Sequence, residues 1–256
     1  MKRITKYIVL LCVVIFSSSV ANATPSASEQ WERGNKAYVE GRYEEAVEAY
    51  NSILEGGEYS MKLYYNIANS YFKLGEMGKA ILYYNKALRI APSSDDVRHN
   101  LALAEAQTKD RIVEIPEFFL NRWMRTVRNS MSCLAWSVIS LVSFGAMLAF
   151  VLMFLLASRI RVRKAGFYGA LCLFMLFVAT TAFAVSSRND MLSHDEAIVM
   201  ASAISVKSSP DRSATDIFVL HEGTKVKVLT EVDEWIEVVI ADGKKGWTLK
   251  SSVEEI

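Results

Sequence analysis

The sequence predicts a multidomain membrane protein that joins an all-α helical repeat, a two-helix transmembrane hairpin and a small all-β barrel. Three observations carry that expectation. Small and aromatic residues recur at a spacing of 34 between residues 27 and 110. Two charge-free apolar runs, Cys133 to Ala157 and Gly166 to Val185, flank a short segment rich in Arg and Lys. After Arg188 the pattern changes to short apolar stretches broken by Gly, Pro and Asp turn residues. The chain has 256 residues, 52% of them hydrophobic, and a formal net charge of +1. That length suits two or three small domains, and the near-neutral charge gives no electrostatic footprint for nucleic acid.

The N-terminus, residues 1–23, reads as an export signal. Lys2, Arg3 and Lys6 form its basic start, Tyr7 to Phe16 its apolar core, and Ala21-Asn22-Ala23 a small-x-small cleavage site. Retention of the same segment as an anchor is the alternative. The three cysteines, Cys12, Cys133 and Cys172, all fall in apolar segments, so the exported parts must hold together by packing without a disulfide.

Within residues 27–110, Gly34 aligns with Ala68 and Ala102, Gly41 with Gly75, Ala46 with Ala80, and Tyr50 with Tyr84. This pattern resembles the tetratricopeptide repeat (TPR), and two repeats plus a half are expected. Small residues would let paired helices approach, Tyr50 and Tyr84 would fill the gap beside them, and Gly41 and Gly75 would make the turns. Asp95 is placed to cap the last helix.

The first helix of each repeat lines the concave face of such a stack. One period apart, Trp31, Tyr65 and His99 fall on one rung, Asn35 and Asn69 on another, Asn66 and Asn100 on a third, and Tyr38 and Phe72 on a fourth. Aromatic rings and side-chain amides suit an extended peptide, because Asn pairs with both backbone groups. These nine residues are the expected protein-binding groove; the competing reading is that they are ordinary structural positions. A clamp for a C-terminal carboxylate is not expected, since Trp31, Asp96 and Asn100 stand where cations would be needed.

Residues 117–130 follow, with Arg122, Arg125 and Arg128 on one side of a helix and Leu120, Trp123, Met124 and Val127 on the other, the pattern of an interfacial helix. Transmembrane helices are expected over 132–157 and 165–186, joined by a basic turn, 158–164. A short loop rich in Arg is retained in the cytoplasm, which puts both soluble parts in the periplasm of a bacterial inner membrane. Gly145 with Ala149, and Thr180 with Ala184, would let the two helices pack closely.

Residues 195–256 read as six short strands, hence a small barrel. The stretches 206–210, 220–226 and 242–247 resemble the bacterial SH3 domain. Trp235 and Trp247 are its expected barrel aromatics, and Trp247 is the candidate ligand contact, although core packing is the stronger expectation for it.

Taken in order, these parts resemble the BatE-type proteins of bacterial aerotolerance (Bat) operons. Tyr64 to Gly75, Pro116-Glu117-Phe118-Phe119 and Asp195 to Val199 carry the likeness. It implies a membrane protein working beside other Bat proteins, some with von Willebrand A domains, and a MoxR-type ATPase. No catalytic, cofactor or metal site is expected. His99, His194 and His221 lack ligand spacing, and Gly75 to Lys79 lacks the spacing of a phosphate loop. A membrane-anchored scaffold that binds proteins is the first expectation, and a peptidoglycan binder acting through the barrel is the alternative.

Overall fold

The computed structural model describes residues 26–256 apart from 113, 114, 117 and 194. The expected export signal therefore lies outside the described residues, as do His194 and the first residue of the expected interfacial helix. The chain divides into two compact units, one ending at Glu58 and the other running from Tyr59 to Ile256.

In the first unit, α1 (Ala27–Val39) and α2 (Tyr43–Glu55) form an antiparallel pair. Ser26 caps α1 by accepting a hydrogen bond from the Glu29 amide. Gly41 turns the chain at φ +79°, a left-handed conformation that costs little without a Cβ. Gly34 lies flat against the buried Tyr50 ring, and a Cβ there would come within 2.5 Å of it.

The second unit begins with the repeat helices α3 (Met61–Leu74), α4 (Met77–Ile90) and α5 (Asp95–Glu105). Ser60 caps α3, Gly75 ends it at φ +80°, and Ala80 and Tyr84 are fully buried where α4 meets its neighbours. Asp95 does not cap α5. Ser94 holds that position without a side-chain bond, while Asp95 is the first helical residue and pairs with Arg98 at 2.6 Å.

Next come α6 (Phe119–Arg128), α7 (Cys133–Leu156) and α8 (Ile160–Leu192). Both α7 and α8 are long and apolar enough to cross a membrane. Their large apolar side chains point outward; Leu134 and Leu141, for example, are 74% and 71% exposed, the reverse of helices in a soluble core. The stretch read as a basic turn is largely helical, since α8 already starts at Ile160 and continues seven residues beyond Val185. Of the small residues expected at the contact between the two helices, Thr180 is buried and the Ala184 carbonyl accepts from Cys133 Sγ at 3.6 Å, but Gly145 lies away from it. A Cβ on Gly145 would meet nothing within 4 Å, whereas one on Gly166 would lie 2.7 Å from the Phe154 nitrogen. Ser140 and Thr181 hydrogen-bond across the pair at 2.7 Å.

The barrel is one antiparallel sheet of seven strands: β1 (Glu196–Val199), β2 (Ala203–Lys207), β3 (Asp216–His221), β4 (Lys225–Val232), β5 (Trp235–Val239), β6 (Lys245–Leu249) and β7 (Val253–Glu255). Their order is β3-β2-β6-β5-β4-β1-β7. The first six match the expected strands; β7, three residues after a 3-10 turn, has too little pattern to be read from sequence. Alternate residues point inward, so Ala197, Val199, Val206, Val226, Ile236 and Val238 form the core. Ile112, from the segment after α5, packs against that same core.

Candidate interaction surfaces

Each repeat holds its groove residues by the same construction. In the first unit the Tyr50 hydroxyl donates to Asn35 Oδ1 at 2.8 Å, and the Tyr50 ring lies 5.7 Å from that of Trp31. In the second, the Tyr84 hydroxyl donates to Asn69 Oδ1 at 2.6 Å, and its ring lies 6.1 Å from that of Tyr65. The tyrosine of the second helix thus fills the interhelical gap and fixes the asparagine of the first. Asn69 accepts a second bond, from Asn100 Nδ2 at 3.0 Å, and Asn100 Nδ2 also donates to the Tyr65 hydroxyl at 2.9 Å.

Tyr65, Asn69 and Asn100 therefore converge on one hydrogen-bonded cluster and brace α5 against α3. Part of their polar capacity is already used, which leaves ring faces and remaining lone pairs for a ligand. Asn66 is half-buried on the same helix, and its carbonyl accepts from the Ser70 hydroxyl. Phe72 is half-buried and His99 is exposed. Tyr38 packs edge-on against Tyr43 at 5.4 Å. Trp31, Asn35 and Tyr38 belong to the first compact unit and the other six groove residues to the second. Trp247 is half-buried on β6, opposite Glu237 of β5 and Lys207 of β2.

A second surface escaped the sequence reading: the barrel is docked on the repeat helices of its own unit. Glu222 Oε1 accepts the Gly78 amide at 2.9 Å, so a barrel carboxylate caps the N-terminus of α4, where the helix dipole favours negative charge. Lys86 of α4 lies 3.7 Å from Glu254 of β7; burial lowers its pKa, and Glu254 opposes that shift. Arg89 donates to main-chain oxygens of Asp190, Ser193 and Ile256.

Asp110, in the segment after α5, accepts three hydrogen bonds from the barrel. They come from the His221 amide, His221 Nδ1 and the Thr224 hydroxyl, each at 2.7 Å. Burial works against the charge on Asp110, but the bonds from Thr224 and His221 outweigh it and hold the carboxyl below its ordinary range. Further along the same segment, the Ile115 amide donates to the Ala241 carbonyl at 3.2 Å. His221, which has no metal-ligand spacing, thus has a docking role. Only its place at the end of β3 hinted at this; its partner is 111 residues away. Among the described residues no three His, Cys, Asp or Glu side chains gather as a metal set would.

Comparison with known proteins agrees with these modules. Residues 62–94 match the family model of the tetratricopeptide repeat, and residues 202–254 that of the bacterial SH3 domain. A stretch of 75 residues is 40% identical to a TPR repeat-containing thioredoxin, TTL4, of Arabidopsis thaliana. That stretch is 29% of this chain and spans 11% of the length of the relative.

Proposed function

We propose that this chain is a membrane-anchored adaptor that acts by binding rather than by catalysis. In this reading α7 and α8 cross the bacterial inner membrane, the repeats and the barrel face the periplasm, and the basic stretch 158–164, which includes the start of α8, stays in the cytoplasm. The repeats hold an extended segment of a partner protein, in keeping with a BatE-type member of a Bat membrane complex whose partners carry von Willebrand A domains. The observation that carries the reading is the doubled construction in which Tyr50 fixes Asn35 beside Trp31 and Tyr84 fixes Asn69 beside Tyr65. Rings and amides held in place before binding lose little entropy when a peptide arrives.

Two experiments test this reading. Cysteines placed at Ser60, Arg161 and Ser213 should react with an impermeant thiol reagent in intact cells at the first and last positions only. Labelling at Arg161 alone would reverse the topology. Tyr65→Ala should weaken partner capture at least tenfold, because truncating an aromatic anchor costs about 2 kcal/mol or more. Asn66→Ala should cost less, about 1–2 kcal/mol. Full retention by the double variant would remove the groove from the function.

A cell-wall role is the second reading, supported by the bacterial SH3 match over 202–254. It predicts that the solubilised protein sediments with purified peptidoglycan and that Trp247→Ala abolishes this.

A further inference from the structure

Helix α6 closes a polar cavity of about 460 Å³ that is also walled by the repeat domain, the outer end of α8 and the barrel. Its lining is dominated by cations: Arg89, Arg98, Arg125, Arg128, Lys225 and Lys227. Three acidic side chains stand among them, and each has a cationic partner: Asp190 with Arg128, Asp195 with Lys227 and Glu196 with Lys225, all at 2.8 Å. The lining thus carries six cations against three acidic side chains, and Arg98 is paired besides with Asp95 at 2.6 Å.

Arg125 and Arg128 also line the adjoining cavity, of about 820 Å³, whose other walls include Phe118, Met124, Ala182 and Phe183. Ala182 and Ser186 continue from it into a third, apolar groove that follows α8 past Val178 to Phe177. The three spaces form one path with a cationic head and an apolar tail. Its position along α8 is telling. The apolar run ends at Val185 and the first charge beyond it is Arg188, so Ala182 and Phe183 stand just inside the hydrocarbon boundary, while Ser186 and Asp190 stand just outside it.

We infer that this path binds one anionic phospholipid, its phosphate at Arg125 and Arg128 and an acyl chain along Phe183, Ala182 and Phe177. The inference rests on the membrane-spanning reading of α7 and α8. Charge selects the headgroup, because two guanidinium groups recognise phosphate oxygens with directed hydrogen bonds. Arg128 is already oriented for this by bonds to Ser186 at 2.8 Å and Asp190. Its carbonyl accepts the Trp136 indole N–H at 2.8 Å, which fixes the end of α6 on α7.

The test uses the full chain extracted in neutral detergent, with lipid retention read by native mass spectrometry. Short-chain phosphatidylglycerol should be held at least tenfold more tightly than phosphatidylcholine of the same chain length. Arg125→Glu should remove that preference and Arg125→Lys should keep most of it, while Ala182→Trp should weaken both lipids by filling the groove. Equal retention of the two lipids by the native chain overturns the inference, as does a preference that survives Arg125→Glu. Glycerol phosphate bound as tightly as phosphatidylglycerol also overturns it, by making the cavity a site for free phosphate esters. Should Arg125→Glu melt lower than the native chain, Ala182→Trp decides, and undiminished lipid retention refutes the groove. Recovery of the native chain in the aqueous fraction without detergent would instead refute the membrane reading itself.

Discussion

Asp110→Asn should release the barrel from the repeat helices while leaving both folded. The carboxylate accepts three bonds from groups of the barrel, and its side chain is only 16% exposed. A hydrogen bond to a charged group is worth about 1.5–3 kcal/mol net. The asparagine can keep the two bonds that Oδ2 accepts, now as weaker neutral bonds, and turns its NH2 toward His221 Nδ1, so one bond is lost and two are weakened. Partial exposure and adjustment of the neighbours reduce the sum, leaving a cost of about 3 kcal/mol. That corresponds to a rise of roughly a hundredfold in the open population. Amide hydrogen exchange across residues 217–226 reads it directly, because the His221 amide is one of the donors. Exchange there should accelerate about a hundredfold, while α4 and the strand pair β5–β6 keep their protection. Unchanged exchange at His221 would mean that the three bonds contribute nothing to docking and that the other contacts, such as Glu222 with the Gly78 amide and Ile112 with the barrel core, hold the barrel.

Three other outcomes follow from the same geometry. Ala80→Leu should overpack the fully buried face of α4 and lower stability by about 1–3 kcal/mol in a denaturant melt; an unchanged midpoint would contradict its place in the core. Tyr84→Phe removes the donor to Asn69 and should cost about 1 kcal/mol in the same melt, with Asn100 loosened as well. Acid should mimic Asp110→Asn: the folded carboxyl titrates below its ordinary value, so its contribution is complete above the unfolded pKa of an aspartate. It is lost as pH falls through the depressed folded value, and exchange across residues 217–226 followed against pH should accelerate there and not near neutrality.

The repeats, the hairpin and the first six strands were legible because each rests on a local pattern: a spacing of 34, an apolar run, or alternation bounded by turn residues. Gly41 and Gly75 announced their turns because a positive φ restricts the choice of residue. Docking could not be read this way. Asp110, Gly78 and Arg89 look like ordinary loop or helix residues, and their partners lie more than 100 positions away. The groove was legible as a set of aligned positions, but the bond from Asn100 to Tyr65 was not. Periodicity reports which residues share a face and not which of them spend their donors on one another. The hairpin contact was legible by half: Thr180 does lie at it, but Gly145 and Gly166 are equally small, and only the helix rotation decides which one meets a neighbour.

The connection between α8 and β1 sets a limit on distance. Helix α8 extends past Val185 to Leu192, about 10 Å at 1.5 Å per residue. Residues 193–195 then span at most about 10 Å, even when fully stretched, before β1 begins at Glu196. In the membrane reading proposed above, the base of the barrel stays within about 20 Å of the bilayer, with no leash with which to search the space beyond. In that reading a ligand for the barrel comes down to the membrane surface, which favours membrane-bound proteins over a distant polymer network.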